Sequence, residues 1–173
     1  AGVDVVADLN EPLDLLPDDS VEHLHSRHTL EHVRELVPLM REIHRVVRPG
    51  GLVEITVPHF SNVYGFSDPT HLHLFGVHSM SYFAAPGDQP SRRKVPAFYS
   101  DVRFRIESIR IDFYRLSLLD KTVGRLLSWL VNRSMGMQET YERRWSGLFH
   151  AWQVRYVLRP VKKGSPPEAS SGP

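Results

Sequence analysis

Residues 28–59, HTLEHVRELVPLMREIHRVVRPGGLVEITVPH, decide the fold. From Val37 the apolar residues Val37, Met40, Ile43 and Val47 recur every three or four positions, with Arg41, Glu42, Arg45 and Arg48 between them, the spacing of one apolar helix face. Pro38 suits the first turn of that helix, where its missing N–H leaves nothing unpaired. Pro49-Gly50-Gly51 then stops it, since proline discourages continuation and glycine takes the left-handed conformation of a helix end. Leu52-Val53-Glu54-Ile55-Thr56-Val57 follows at once, β-branched and nearly continuous in hydrophobicity, and is expected as an inner strand of a parallel sheet.

Loop, helix, Pro-Gly-Gly and buried strand, in that order, resemble the second half of a class I S-adenosylmethionine-dependent methyltransferase of the type-11 group. The resemblance rests on LEHV and on LMREIHRVVRPGGLVEITVP, is close from Ala1 to about Pro58, and continues to Pro160 on strand-like segments alone. It implies an α/β fold with a Rossmann-like, mostly parallel sheet of order 3-2-1-4-5-7-6. The strand-like run Phe104–Phe113 and the last strand, Trp152–Leu158, are expected to supply its antiparallel C-terminal pair. On this reading residues 1–160 form a partial methyltransferase-like domain, and 161–173, rich in Ser, Pro and Gly, form a disordered tail.

The family also carries a glycine-rich turn after its first strand and an acidic residue after its second. No glycine pair other than Gly50-Gly51 occurs in this sequence. The expectation is therefore an N-terminally truncated fold with the first two strands missing and an incomplete cofactor site. The strand-like run Gly2–Leu9 would then cover the open edge of the strand Val21–Ser26, because an open inner strand invites aggregation.

The chain has 173 residues, enough for one domain with a core; it is 41% hydrophobic and 24% charged, with a formal charge of +1. That balance gives no reason to expect a nucleic-acid partner. Zero cysteines exclude disulfides and thiolate chemistry, and no apolar run is long enough for a membrane span, so a cytoplasmic protein is expected.

The resemblance implies S-adenosyl-L-methionine as cofactor and a small-molecule or biosynthetic acceptor as partner. Asp8 is then the candidate for the adenine amino group, with Leu9 beside the ring, and Ser26 and His28 approach the methionine end. Glu31 and His32 lie where the family places residues nearest the reacting centre, and a carboxylate beside an imidazole makes a general base. His59, Tyr64, Asp68, His71 and His73 fall in an aromatic, polar loop after the carboxyl end of a parallel strand, the edge where open α/β sheets bind ligands, and are acceptor-site candidates. Asp68-Pro69-Thr70-His71 is expected to turn into a short helix.

Two other readings stay open. One is a non-catalytic remnant or binding subunit that keeps the fold. The other is a metallohydrolase resting on His23-Leu24-His25-Ser26-Arg27-His28, although Arg27 stands where such a motif needs a carboxylate, so no metal site is expected. His23 and His25 would share one strand face, beside a helix. Leu116–Met135 carries a wide apolar helical face, formed by Leu119, Val123, Leu126, Leu127, Leu130 and Val131, and Tyr141–Phe149 reads as a further helix.

Overall fold

The computed structural model describes residues 4–90, 94–96 and 98–162, the side chain of Leu119 excepted. Four strands, β1 (Val21–Arg27), β2 (Val47–Pro58), β3 (Phe104–Phe113) and β4 (Ala151–Pro160), form one sheet in the order β1-β2-β4-β3. β1 and β2 are parallel, and β4 runs antiparallel to both β2 and β3. This is the 4-5-7-6 part of the expected order, with only β4 reversed.

The helix α1 (Leu36–Val46) buries Leu39, Met40, Ile43 and Val46 against the sheet; of the expected face only Met40 and Ile43 are buried helix residues, Val37 being half-buried and Val47 already in the strand. It ends earlier than expected. Val47 is already extended, with φ −78° and ψ 125°, and the ladder runs Val21↔Val47 then His23↔Leu52. Pro49-Gly50-Gly51 is therefore a bulge at the entry of β2 rather than a helix cap. The residue before a proline is pushed out of the helical region, which moves the boundary back.

Gly50 has φ +74°, with open space where a Cβ would lie, whereas a Cβ on Gly51 would sit 2.7 Å from Val47 Cγ1 and 2.9 Å from the carbonyl oxygens of Arg48 and Glu22. Gly51→Ala is expected to lower stability by about 1–3 kcal/mol through overpacking against backbone. Gly50→Ala is expected to cost about 1–2 kcal/mol through the left-handed backbone alone. Denaturant midpoints, with a structure of each variant, separate the two causes: only Gly51→Ala should displace Glu22 from Gly51.

β2 is not continuous in burial. Val53, Ile55 and Val57 are fully buried on the face covered by helices, while Glu54 turns to the opposite face beside Val157 of β4. His23 and His25 are exposed on that same open face, and His23 Nε2 lies 2.9 Å from Glu54, which corrects their expected place beside a helix. Only one face of this part of the sheet is packed, so polar alternation replaces the two-sided burial of an inner parallel strand.

The first run is not a strand. Asp4–Leu9 forms no ladder, Val5 and Val6 are exposed, and the outer edge of β1 is unpaired among the described residues. The segment is instead anchored further on, through Arg45. Its guanidinium donates to the carbonyls of Leu13 (3.0 Å) and Leu16 (2.9 Å) and to Asp18 (2.7 Å) and Glu42 (2.8 Å). That contact holds the Glu42 carboxyl below the usual carboxylate range. At the other side of the sheet the outer edge of β3 is satisfied by side chains. Asn132 exchanges two bonds of 2.8 Å with the backbone of Ile111, and Gln138 donates to the Ile109 carbonyl at 2.7 Å.

The long apolar stretch divides into α3 (Leu118–Val131), opened by a capping box between Ser117 and Asp120, and α4 (Met135–Arg144), capped by Ser134. The expected helix at Tyr141–Phe149 thus starts earlier and ends at Arg144, because Ser134 supplies the N-cap. Of the apolar face of α3, Val131 is buried, Val123, Leu127 and Leu130 are half-buried, and Leu126 is exposed. Val161 and Lys162 are held to the fold, Lys162 by Asp19 at 2.6 Å; the rest of the expected tail lies outside the described residues.

Candidate functional site

Two loops leave the carboxyl ends of the parallel strands and meet. After β1 the chain turns at His28, which has φ +51° and donates its N–H to the Thr56 carbonyl at 2.8 Å, and enters a 3-10 turn, Leu30–His32. A non-glycine residue in the left-handed region is uncommon and often marks a functional turn. After β2 a short helix α2 (Val63–Ser67), capped by Asn62, precedes a turn at Asp68–His71. The helix comes before this turn and not after it, because the Asp68 carboxylate accepts from Thr70 N–H (2.9 Å) and Oγ–H (2.6 Å) and closes the turn on itself. The Glu31 carbonyl then accepts from Leu72 N–H at 2.7 Å, which pins the second loop on the first.

Glu31 is the centre of this junction. It is 1% exposed, and neither carboxylate oxygen has a hydrogen-bond partner among the described residues. Its Oε1 lies 3.5 Å from His28 Nδ1, 4.0 Å from His32 Nε2 and 4.0 Å from His71 Nε2. The other nitrogen of each ring is engaged. His71 Nδ1–H donates to the Gly65 carbonyl (2.8 Å), and His28 Nε2–H donates to Gln153 Oε1 (3.3 Å). The Thr70 hydroxyl gives its hydrogen to Asp68 and accepts from His32 Nδ1–H at 2.9 Å. Thr70 and Asp68, not Glu31, therefore orient the His32 ring.

The other candidates divide. Asp68 joins the cluster, with Oδ2 3.7 Å from His71 Nε2, and its bonds to Thr70 keep its carboxyl below the ordinary range. His73 does not, since its Nε2–H donates to the Val33 carbonyl at 2.7 Å. His59 is buried elsewhere: Nδ1 accepts from Ser61 N–H (3.1 Å) and Nε2–H donates to Glu142 (3.2 Å), leaving no ring nitrogen for a ligand. Ser26 has a buried Oγ without a partner. Asp8 is exposed; its Oδ1 accepts from Asn10 N–H (2.9 Å) and Nδ2–H (2.8 Å), which lowers its carboxyl, while Oδ2 makes no hydrogen bond among the described residues. Asn10 accepts from Arg34 N–H at 2.8 Å, tying Asp8 and Leu9 to the loop after β1.

The sequence reading missed the aromatic wall beside His28. Trp152 meets His28 (centroids 6.4 Å), Tyr114 (5.2 Å) and Tyr64 (6.4 Å) edge to face. Asn62 holds them in place: it donates to the Trp152 carbonyl at 2.7 Å and accepts from Tyr114 O–H at 2.6 Å. A cleft of about 320 Å³ opens there, lined by Tyr64, Tyr114, Val123, Leu127 and Phe149 among others. Asn-x-Tyr at 62–64 read as loop composition; nothing local signals that strands 90 residues away complete it.

Residues 3–55 match the family described as "Methyltransferase domain". Among solved structures, a chain in the complex between the Haloferax volcanii Trm112 methyltransferase activator and the putative methyltransferase is similar over 94% of this chain and 65% of that one, at 12% identity and a TM-score of 0.52. The fold is that of the class I S-adenosylmethionine-dependent methyltransferases. A SAM-dependent methyltransferase from Archaeoglobus fulgidus is similar at 16% identity and a TM-score of 0.49, over 90% of this chain and 66% of that one. The chain thus spans just under two thirds of the length of these methyltransferase structures. No curated protein matches it by sequence. In this fold β1 and β2 are the fourth and fifth strands, which puts the histidine cluster at the sheet edge where the fold binds its ligands.

The residues present fit part of S-adenosylmethionine. Asp8 offers a free carboxylate oxygen, and Ser26 a buried hydroxyl. A glycine cradle for the methionine portion does not occur among the described residues, where the one adjacent glycine pair is spent on the β2 bulge. Among the described residues no helix is long and apolar enough to cross a membrane.

Proposed function

We propose that this chain belongs to an S-adenosylmethionine-dependent methyltransferase acting on an oxygen or nitrogen of a small or biosynthetic acceptor. The observation that carries the reading is the buried, unpartnered Glu31 carboxylate among three imidazoles at the carboxyl ends of β1 and β2, in a methyltransferase fold. Asp8 and Leu9 would hold the adenine, with Ser26 and His28 toward the methionine end. S-adenosylmethionine supplies an electrophilic methyl group when bound.

The chain's own part is to position the acceptor and handle its proton. The His32 ring, held by the Thr70 hydroxyl, lies where it would meet the proton of an acceptor entering from solvent. His32, 40% exposed, is the open side of the cluster, and His71 and Asp68 flank it. The cleft lined by Tyr64 and Tyr114 would seat the apolar part of an acceptor.

Calorimetric titration with S-adenosylhomocysteine tests this, on this chain and on the complete reading frame that contains it. Saturable binding by the complete protein, weakened by Asp8→Ala, is the expected result. Binding by neither would leave a fold without the cofactor and favour a non-catalytic binding subunit.

A further inference from the structure

The tautomers around Glu31 carry a second consequence. Carbonyl oxygens only accept, and the Thr70 hydroxyl has spent its hydrogen on Asp68, so His71 and His32 both carry their proton on Nδ1. Each then turns an Nε2 lone pair toward Glu31, at 4.0 Å. Gln153 does the same to His28, because its amide N–H is committed to Asp112 at 2.8 Å, and the lone pair of Nδ1 faces Glu31. Acceptors thus face acceptors around a carboxylate that is 1% exposed. That arrangement is repulsive unless a proton or a larger cation lies between them, and a metal ion satisfies all the acceptors at once.

Donor type selects the kind of cation. One donor atom each from Glu31, His32 and His71 lies within 4.8 Å of the others. Ligand atoms around a tetrahedral zinc ion are roughly 3.3 Å apart, given bonds of about 2.0–2.1 Å. An ammonium ion with hydrogen bonds of about 2.8 Å would hold its acceptors roughly 4.6 Å apart. The 4.0 Å contacts of Glu31 with His32 and His71 fall between these two spacings, so the nature of the donors decides. Two imidazoles and one carboxylate suit a first-row divalent ion, not magnesium or calcium, which prefer all-oxygen sites. Ring N–H groups held by a carbonyl and by a Thr-Asp pair are the outer-shell partners that metal-binding histidines use.

We propose that Glu31, His32 and His71 bind one divalent transition cation of the zinc class, open on the His32 side. The use of the ion, to receive an acceptor oxygen and acidify it, rests on the methyl-transfer reading; ion binding does not. This site is separate from the His23-x-His25 motif, whose imidazoles lie on the open sheet face. No spacing rule could have found it, since His71 comes from the other loop.

The test is titration of metal-free protein with Co²⁺, read by its visible absorption, and competition with Zn²⁺ by calorimetry. One equivalent should bind. Glu31→Gln and His71→Ala should each weaken binding more than tenfold, Thr70→Ala about 10–100-fold, and the His23→Ala/His25→Ala pair should leave it unchanged. Circular dichroism confirms that each variant is folded, and the exposed Thr70 serves if the buried Glu31 variant is not. No saturable binding by the wild type, or binding that survives Glu31→Gln, His71→Ala and Thr70→Ala, overturns the proposal. Titration with S-adenosylhomocysteine keeps the two readings apart. Cofactor binding without cobalt binding removes the metal alone, and cobalt binding without cofactor binding removes the methyltransferase reading alone.

Discussion

If the chain belongs to a methyltransferase as proposed, replacing His32 by alanine is expected to lower methyl transfer by the complete protein about 10²–10⁴-fold, the usual weight of a positioned proton-handling group. The size follows from the site. His32 is the half-exposed imidazole, while Glu31 is closed off and His71 is 12% exposed, so an acceptor entering from solvent meets His32 first. Removing the ring also leaves the buried Glu31 carboxylate with one fewer partner for positive charge. The loss should fall on kcat, with S-adenosylhomocysteine affinity changed little, because Asp8 and Ser26 lie outside the cluster. Single-turnover rates measured beside calorimetric affinities distinguish these outcomes. An unchanged kcat in His32→Ala would remove His32 from the chemistry and leave it as a packing residue of the loop.

Ile55→Ala is expected to have the largest effect on stability, about 2–5 kcal/mol, the range for truncating a fully buried aliphatic side chain. Ile55 is fully buried at the middle of β2, with Ser26 of β1 and Tyr156 of β4 as its ladder neighbours. Both flanking strands hold their positions by backbone pairing, so the surroundings have little freedom to collapse into the space left behind. Against a total stability of about 5–15 kcal/mol this is a large share. It corresponds to a fall in Tm of about 4–20 °C. Arg27→Ala, on the exposed face of the same sheet, should stay within about 0.5 kcal/mol. Urea midpoints at constant slope measure both. Comparable losses from the two variants would mean that the open face is packed in solution, contrary to the alternation in β2.

Both effects depend on features that differ in how far they can be read from local sequence. Periodicity identified α1 and its buried face, and the β-branched run identified β2, because those patterns follow from helix and strand geometry alone. The Pro-Gly-Gly signal located a break in the chain but not its form. Whether glycines end a helix or open a bulge depends on which strand lies beside them, and here Glu22 of β1 leaves no room for a side chain at Gly51. The described part of the first strand-like run, Asp4–Ala7, shows the converse, since a β-favouring segment is a strand only where a neighbour offers hydrogen bonds.

The candidate site divides along the same line. Residue type and position after the strands were enough to single out Glu31, His32, Asp68 and His71 as polar groups at a ligand-binding sheet edge. That His71 stands across Glu31 from His28, that Thr70 sets the His32 tautomer, and that His59 and His73 are consumed by Glu142 and the Val33 carbonyl are matters of loop against loop. Side chains between 38 and 125 positions apart meet there, and their separation in sequence carries no information about their distance. Local propensity and periodicity determined the helix before Pro49, the buried run of β2 and the strand-like runs of β3 and β4, whereas the sheet order was legible only through the resemblance. Tertiary structure alone decided which imidazoles converge, which face of the sheet is core and where the aromatic wall stands, because those depend on contacts between segments that no local pattern encodes.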